Sequence, residues 1–330
     1  MSQSHLTTTE RESILKCLTL GKGVREIARI IERDPSVISR EIKRNSNKDG
    51  SYSAIVAQAK YEKRREKSRR KKLLDNQELK EKLRELFLEK SWSPEQISNR
   101  FKFENSKFQI SYNTIYRAIY DGLFDVYLPG QKKSTRKLRH RGKTRKKAGV
   151  IETRGKIKVT HTIHERPTEA EERNVIGHWE SDTIIGKRYS HALLTLVDRS
   201  SRYLLGRKIP AKKSEFVKEK MIEALKTLPK SKRRSITSDR GKEFSKHQEI
   251  TNALDNLLFY FADPHAPWQR GTNENTNGLI REFLPTGTDL ADFSDADIDS
   301  IIENINHRPR KCLNWKSPHE VFFDKVLHLT

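Results

Sequence analysis

Three acidic residues in the second half of the chain have types and positions that suit divalent metal ions. Asp182 lies inside a strand-like segment, Asp239 ends another, and Glu274 begins a helical segment. If the two strands are neighbours in a sheet, their aspartates come close together, and Glu274 can complete the group from the helix. Three converging carboxylates repel one another unless hard cations bind between them. The arrangement predicts phosphoryl transfer at two Mg²⁺ ions, with Mn²⁺ as a substitute, that activate the attacking oxygen and stabilise the leaving one.

The helical segment that begins at about Asn273 has two chemically different faces. Its apolar face, at a spacing of about 100° per residue, is formed by Leu279, Ile280, Phe283 and Leu284. Its polar face carries a carboxylate, an amide, a position without a side chain and a guanidinium, from Glu274, Asn277, Gly278 and Arg281. Such a face suits a metal ion and a phosphodiester that approaches the backbone. Taken alone, an ordinary amphipathic helix with a solvated face explains the same pattern.

Other acidic residues of this half have simpler interpretations. Asp198 lies in a turn-like sequence, which favours a role in the turn. Glu180 shares a strand face with Asp182 and could support the metal site from behind. Glu243 falls in the outer first turn of a predicted helix, where we expect it at the surface.

The elements that must position the three acids follow from hydrophobic periodicity. Strands are predicted over 178–185, 192–197 and 203–209, then a helix over 214–228, a strand over 234–238, a helix over 244–254 and a strand over 257–262. The helix of Glu274 comes next, and Ser294 caps a last helix that reaches about Asn306. This order predicts an antiparallel meander extended by strand–helix units, hence a mixed sheet covered by helices on both faces.

Residues 1–50 predict a helix-turn-helix domain. Thr7 and Glu10 have capping-box spacing before a first helix, a second helix covers 24–31, and Asp34-Pro35 starts a third over 36–44. The outer face of the third helix suits base edges and phosphates in a major groove and carries Ser36, Ser39, Arg40, Lys43 and Arg44. Glu32 stands where such turns often have Gly, which predicts a strained or wider turn. A three-helix packing unit with a solvated basic face is the alternative.

Residues 51–128 predict a further helical region with a second helix-turn-helix. Ser111 caps its last helix, whose outward residues Tyr112, Asn113 and Arg117 suit hydrogen bonding and stacking on DNA. Simple packing of these helices is the alternative. Residues 60–72 hold nine Lys/Arg against two Glu, and a helical basic arm and a solvated linker explain them equally well.

The positive charge is concentrated in the first half of the chain. Residues 1–150 carry 37 Lys/Arg and 18 Asp/Glu, a net of +19, whereas residues 151–330 carry 30 and 26, a net of +4. Residues 132–147 contain ten Lys/Arg and no acid, so they cannot form a core, and we predict a basic linker over 129–165 before a core over 166–330. Double-stranded DNA is the expected partner, whereas a membrane surface is disfavoured because the basic segments lack an apolar face.

Cysteine usage and hydropathy narrow the class of protein further. Cys17 and Cys312 are the only cysteines and stand far apart, which supports neither a disulfide framework nor a cysteine zinc site. The N-terminus is polar, and no run of eighteen apolar residues occurs. We therefore expect a soluble, cytoplasmic protein.

Several segments together resemble one known family, the DDE transposases of bacterial insertion sequences, and specifically the insertion-sequence-thirty type. The matching segments are Ile27-Ala28-Arg29 with residues 36–42, Gly177-His178-Trp179-Glu180-Ser181-Asp182, residues 238–244, residues 270–281 and residues 306–311. The resemblance covers nearly the whole chain. Two departures stand out: 34 residues separate Asp239 from Glu274, one more than usual for this type, and Arg240 replaces the usual Asn.

The resemblance implies both a fold and a function. The fold is helix-turn-helix DNA-binding regions followed by a mixed-sheet core similar to retroviral integrase and ribonuclease H. Asp182, Asp239 and Glu274 are implied as the catalytic metal ligands, and Arg281, seven residues after Glu274, is implied as a DNA contact. The implied activity is binding of terminal inverted repeats, metal-dependent cleavage of the element ends, and joining of the 3′-hydroxyls to target DNA within a dimer or larger synaptic complex.

Two alternatives from other functional classes are open at this stage. A DNA-binding regulator would use the first half of the chain and have an inert core. A structure-specific nuclease would cut DNA without joining it. The intact triad with Arg281 disfavours the regulator, and the helix-turn-helix regions disfavour the nuclease because such an enzyme needs no sequence reader.

Overall fold

A computed structural model describes residues 5–68, 73–131, 133–138, 159–187, 191–264 and 266–330. The chain forms two compact units, residues 1–75 and residues 76–330. The first unit contains the helices α1 (Thr8–Thr19), α2 (Val24–Ile30), α3 (Pro35–Asn45) and α4 (Ala54–Ser68).

The first unit forms the predicted helix-turn-helix and extends it by one helix. Thr7 and Glu10 make the capping box of α1, and the Asp34 carboxylate caps α3 by accepting from the Ser36 amide at 2.8 Å. Glu32, in the turn before α3, has a φ of +55°, a conformation that costs a glutamate more than a glycine. The turn therefore has the strain that the sequence predicts. The core includes the fully buried Ile14, Ile27 and Ile38.

The basic segment after α3 is a packed helix over the part that the structure describes. Lys60 Nζ donates to the carbonyl of Asn45 at 3.1 Å, and Arg64 Nη2 donates to the Asn45 side chain at 2.6 Å. These contacts fix α4 against the end of α3, which favours the basic arm over the solvated linker. Residues 69–72 lie outside the described residues.

The second unit begins with α5 (Gln77–Arg84), which continues into a π-helical turn over Glu85–Glu89. The remaining helices and strands, in chain order, are α6 (Pro94–Phe103), α7 (Tyr112–Tyr120), β1 (His161–Thr162), α8 (Thr168–Glu172), β2 (His178–Ile185), β3 (Ala192–Asp198), β4 (Leu204–Ile209), α9 (Ser214–Lys226), β5 (Ser235–Ser238), α10 (His247–Ala253), β6 (Leu258–Phe261), α11 (Gly271–Phe283), α12 (Asp295–His307) and α13 (Pro318–Phe323).

The strands form one mixed sheet in the order β1-β6-β5-β2-β3-β4. β2, β3 and β4 pair antiparallel as a meander, and β5, β6 and β1 extend the sheet in parallel from β2. The strand β3, which lies between β2 and the edge strand β4, is buried along its whole length because helices cover both faces. Leu194 and Leu196 pack towards α9 and α10, whereas Leu193 and Val197 pack towards α11 and α12. The predicted fold class is confirmed.

A buried arginine joins α6 to the last residues of the chain. Arg100 donates to both carboxylate oxygens of Glu320 at 2.7 and 2.8 Å, to Glu104 at 2.6 Å and to the carbonyl of Leu327 at 2.6 Å. Burial alone raises the pKa of Glu320, but the hydrogen bonds from Arg100 and two backbone amides outweigh it and lower the pKa to about 2. The helices α6 and α7 therefore belong to the same folded unit as the sheet.

The structure adds a strand that the sequence did not predict. His161 and Thr162 pair in parallel with Tyr260 and Phe261, although they fall within the predicted linker 129–165. Residues 139–158, which hold much of that predicted linker, lie outside the described residues. The division of the chain into four parts stays a prediction. None of the helices that the structure describes is long and apolar enough to cross a membrane.

Candidate active site

The parallel pairing of β2 with β5 brings two predicted metal ligands together. Glu180 pairs with Thr237, and the hydroxyls of Ser181 and Ser238 contact each other one residue further on. The next residue on each strand is Asp182 and Asp239. The sequence prediction required these two strands to be neighbours, and this condition is confirmed.

A single guanidinium lies against both aspartates. Arg270, immediately before α11, places Nη2 at 3.3 Å from Asp239 Oδ2 and Nη1 at 3.9 Å from Asp182 Oδ1. Nη1 also donates to the carbonyl of Ser181 at 3.1 Å. Burial raises the pKa of Asp182, and the charge of Asp239 raises it further, while Arg270 opposes both effects. Two partly desolvated carboxylates that share one cation are donors of the kind that a hard divalent ion takes.

The helix α11 lies beside this pair and presents its predicted polar face towards it. Asn277 Nδ2 donates to Asp182 Oδ2 at 2.8 Å, which gives Asn277 a definite contact that the sequence did not supply. Asn277 Oδ1 is buried and has no hydrogen-bond partner among the described residues. Glu274 lies four residues after Arg270 and three before Asn277, so it shares their helix face, and its side chain is exposed.

The structure thus assembles two of the three predicted ligands and leaves the third on the adjoining helix face. Within the described residues, no group of three or more His, Cys, Asp or Glu side chains is placed to hold a metal ion. The assignment of Glu274, with Asp182 and Asp239, as a metal ligand stays a prediction. Residues 271–283 form the helix that the pattern predicts, beginning two residues earlier than expected.

The start of α11 is anchored by Glu180, a fully buried carboxylate. Its Oε2 accepts from the backbone amide of Asn273 at 2.9 Å, and its Oε1 is paired with Arg199. Arg199 is itself buried and donates through Nε to the carbonyl of Ala170 at 2.8 Å. A carboxylate at a helix N-terminus satisfies a free amide and is favoured by the helix dipole. Glu180 therefore fixes the helix that carries Glu274.

Arg281 braces the other end of the same helix. Its Nη2 donates to the carbonyl of Ile185 at 2.8 Å and its Nη1 to the carbonyl of Leu284 at 3.4 Å, so it joins α11 to the end of β2. Burial lowers the pKa of Arg281. The predicted DNA contact of Arg281 stays a prediction, and its observed contacts are structural.

The expectation that Glu243 lies at the surface is wrong. Its carboxylate is buried, 2.6 Å from Lys212 Nζ, and accepts from the Thr183 hydroxyl at 3.2 Å. A Cβ added to Gly241 would meet this carboxylate at 2.5 Å. A side chain at residue 241 would therefore displace the Glu243 carboxylate from this position, and Lys212 supplies the cation that pairs with it.

Two other residues take up structural roles in loops near the site. Arg240 donates through Nε to the carbonyl of Ala262 at 3.0 Å, which ties the loop after β5 to the end of β6. Asp198 accepts from the amides of Gly177 and Ser201 at 2.7 Å each, which is the turn role expected for it.

The predicted DNA-facing residues are accessible in both units. The side chains at the five positions predicted on α3 are exposed: Ser36, Ser39, Arg40, Lys43 and Arg44. Arg40 folds back on its own helix, with Nη2 at 2.9 Å from Ser36 Oγ. On α7 the exposed set is Tyr112, Asn113 and Arg117. Their contacts with DNA stay predictions.

Comparison with known proteins matches this organisation. Residues 2–45 match a helix-turn-helix domain model, and residues 172–267 match an integrase core domain model. The chain is 40% identical to the transposase InsI of insertion sequence element IS30C from Escherichia coli (strain K12), over 96% of this chain and 83% of that protein. It is 38% identical to the transposase of IS1086 from Cupriavidus metallidurans, over 91% of this chain and 88% of that protein. It is also 38% identical to the transposase of IS4351 from Bacteroides fragilis, over 96% of this chain and 95% of that protein.

The chain belongs to the IS30 family of insertion-sequence transposases. The resemblance drawn from the motifs is thereby confirmed, as is DNA transposition as the general function. The integrase match of this transposase contains both Asp182 and Asp239 but ends before α11, so Glu274 lies beyond it. For that reason the third ligand depends on the geometry of α11 and on its own experimental test.

Proposed function

We propose that this transposase cleaves the ends of its element by hydrolysis and joins the freed 3′-hydroxyls to target DNA by transesterification, using Asp182, Asp239 and Glu274. The observation that carries the proposal is that Asp182 and Asp239 follow the paired residues of two neighbouring parallel strands and share the Arg270 guanidinium, next to the helix face of Glu274. Such a group is suited to phosphoryl transfer and does not require a covalent protein–DNA link.

The three carboxylates would hold two Mg²⁺ ions, or Mn²⁺ in their place, which when bound would activate the attacking oxygen and neutralise charge on the leaving one. The other residues of the site would keep these carboxylates in position. Asn277 orients Asp182 through its hydrogen bond, and Glu180 fixes the first turn of α11. Arg270 offsets the repulsion between Asp182 and Asp239 before any metal binds.

The substrate would be double-stranded DNA, both the terminal inverted repeats of the element and the target. The exposed basic face of α3 supports reading of the repeats through the major groove, and the net charge of +19 in residues 1–150 supports binding to phosphates. Two ends must be joined in one reaction, so the active form would be a dimer or a larger synaptic complex. The protein would act at the DNA of the bacterial nucleoid.

The test is an assay of end cleavage and joining on labelled DNA that carries the terminal repeats of the element. With Mg²⁺, the wild-type protein should nick the ends and form joined products, whereas Glu274→Gln should lower both rates by at least about a thousandfold, because it removes a metal ligand. Binding of the same DNA should be unchanged, since Glu274 is exposed and no side-chain hydrogen bond or ion pair joins it to the residues that the structure describes.

A matched control is Glu219→Gln, which makes the same chemical change on the exposed face of α9. It should cleave and join at the wild-type rate. If the wild type and Glu274→Gln gave equally uncut DNA, the proposal would be wrong. Cleavage without joining would indicate a nuclease instead.

A further inference from the structure

A cleft of about 660 Å³ lies in the second unit, between α7 and the residues that follow α12. Its lining includes the aromatic and basic side chains Tyr116, Tyr120, Trp315, Lys137, Arg308 and Lys311. Neither the predicted metal ligands nor Arg270 and Asn277 line it. Its function is therefore separate from the strand-breaking chemistry itself.

The two tyrosines of the cleft form an open aromatic surface. Tyr116 and Tyr120 are one turn apart on α7, with ring centroids 6.4 Å apart and ring planes inclined by 23°. Tyr120 is 67% exposed, whereas Ile119 beside it is fully buried, so α7 uses its other face for packing. A large ring that is left in solvent beside another ring is suited to stacking a planar ligand.

Trp315, which also lines the cleft, has an unusual backbone conformation that hydrogen bonds hold in place. Its φ is +67° and that of Asn314 is +51°, a region that bulky side chains rarely adopt. The Trp315 amide donates to the carbonyl of Arg310 at 2.9 Å, and its carbonyl accepts from Arg100 Nη1 at 2.9 Å. Because Arg100 is fully buried, this strain is maintained by the core. Such strained positions concentrate at binding and catalytic sites.

The cleft is also connected to the catalytic helix. Arg308 lines the cleft, and its Nη1 is 2.6 Å from the carboxylate of Glu282 on α11. Glu282 is eight residues after Glu274, which corresponds to roughly 12 Å along a helix axis. Lys137 and Lys311 add positive charge to the rim, and Lys311 pairs with Glu95 at 2.9 Å. A DNA strand at the carboxylates is therefore within reach of the cleft.

We propose that this cleft binds an unpaired base of the DNA strand that is being cut or joined, by stacking it on Tyr120 and Trp315. The inference relies on the proposed function for its choice of DNA as ligand. Aromatic rings combined with a positively charged rim are the usual means of binding single-stranded DNA without reading its sequence. A base held here would keep an unpaired DNA end next to α11.

The test compares two single strands of equal charge, a ten-residue oligothymidylate and a ten-residue abasic oligodeoxynucleotide, by fluorescence anisotropy with the full-length protein. The wild type should bind the oligothymidylate about tenfold more tightly, in line with the stacking of one base. Trp315→Gly and Tyr120→Ala should each reduce this preference to about twofold or less. Glycine suits the φ of residue 315, so the first variant removes the ring without adding strain.

Two control variants show whether the effect belongs to the cleft rings. Trp315→Phe retains a ring and should keep most of the preference, and Tyr127→Ala removes an exposed aromatic side chain outside the cleft and should keep all of it. Equal affinity of the wild type for the two oligonucleotides, or an unchanged preference in Trp315→Gly and Tyr120→Ala, would overturn the proposal. If those two variants instead changed only the mass of the protein in solution, the cleft would be an interface between copies of this chain.

The end-cleavage assay separates this inference from the proposed function. If the wild-type protein cut and joined ends but bound both oligonucleotides equally, the proposed function would stand and the proposal for the cleft would be wrong. If the wild type preferred the oligothymidylate, Trp315→Gly lost this preference and the wild type never cut DNA, the cleft would still be a single-strand site. The proposed chemistry would then be wrong.

Discussion

Two helix pairs carry predicted DNA-facing residues, α2 with α3 in the first unit and α6 with α7 in the second. They are stabilised by different kinds of contact. In the first unit, the buried Arg11 donates to Glu41 at 2.8 Å and to Gln58 at 2.7 Å, so α1 is held against α3 and α4 by contacts within that unit. In the second, the buried Arg100 joins α6 to Glu320 and Leu327, more than two hundred residues later. The first pair is stabilised by contacts within residues 1–75, whereas the second pair depends on contacts with the far end of residues 76–330.

This difference has a functional consequence. We expect the α3 face to bind DNA independently of the sheet, since the buried apolar residues around α3, among those that the structure describes, all lie within residues 1–75. By contrast, α7 is held in the unit that contains Asp182 and Asp239, so DNA bound to it has a defined position relative to the carboxylates. Sequence reading and placement of the strand are therefore expected to be separable by mutation.

The largest expected effect comes from removing each buried arginine in turn. Arg100→Leu should destabilise residues 76–330 by about 3–5 kcal/mol, because it leaves Glu320 and Glu104 buried without a cation. Arg11→Leu should cost a similar amount, confined to residues 1–75. Hydrogen exchange followed by mass spectrometry distinguishes the units. Increased exchange limited to α6 and α7 in Arg100→Leu would show that the two helices are not part of the catalytic unit.

Acid should affect the second unit through Glu320. The pKa of this carboxyl is lowered from 4.5 to about 2 in the folded protein, so its contribution to stability is present above about pH 4.5 and is lost as the pH falls towards 2. The melting temperature of the second unit should fall over that window. Glu320→Gln should be less stable at pH 7 and should show a weaker fall. An identical pH profile in both proteins would contradict the assigned cause.

In the first unit, Arg40→Ala should lower affinity for the terminal repeat by roughly tenfold and affinity for random DNA much less, if Arg40 reads base edges. The matched control Lys16→Ala removes one positive charge from α1 and should lower both affinities equally and slightly. Competition binding at fixed salt measures both. An equal loss on both DNAs in Arg40→Ala would mean that Arg40 contacts only phosphate.

The smallest expected effect is a metal-dependent shift in melting temperature that is limited to the second unit. Mg²⁺ should raise this temperature, since it binds only the folded site, and Asp182→Asn should abolish the rise. Arg270→Gln should melt lower than wild type in a chelator and recover with Mg²⁺, because the cation then replaces the guanidinium between the aspartates. If a chelator lowered the melting temperature of Asp182→Asn as much as that of the wild type, the metal would bind at another site.

Much of the fold could be predicted because it depends on local rules. The capping residues Thr7 and Asp34, the succession of strands along the second half of the chain and the two faces of α11 all follow from short-range patterns and are present in the structure. The strand β1 escaped prediction because its two residues pair only with a distant strand and have no periodicity of their own. Glu243 was misplaced because its burial depends on Lys212, thirty-one residues earlier.

The sequence by itself determined the family, the helix face on which Glu274 lies, and which residues are candidates for the chemistry. Only the tertiary structure decided the arrangement. It placed β5 beside β2, brought Arg270 between the two aspartates, buried Glu180 under α11 and fixed Trp315 in a strained conformation through Arg100. The reason is physical: side-chain periodicity follows from the local backbone, whereas ion pairs and strand neighbours depend on contacts between residues far apart in the chain.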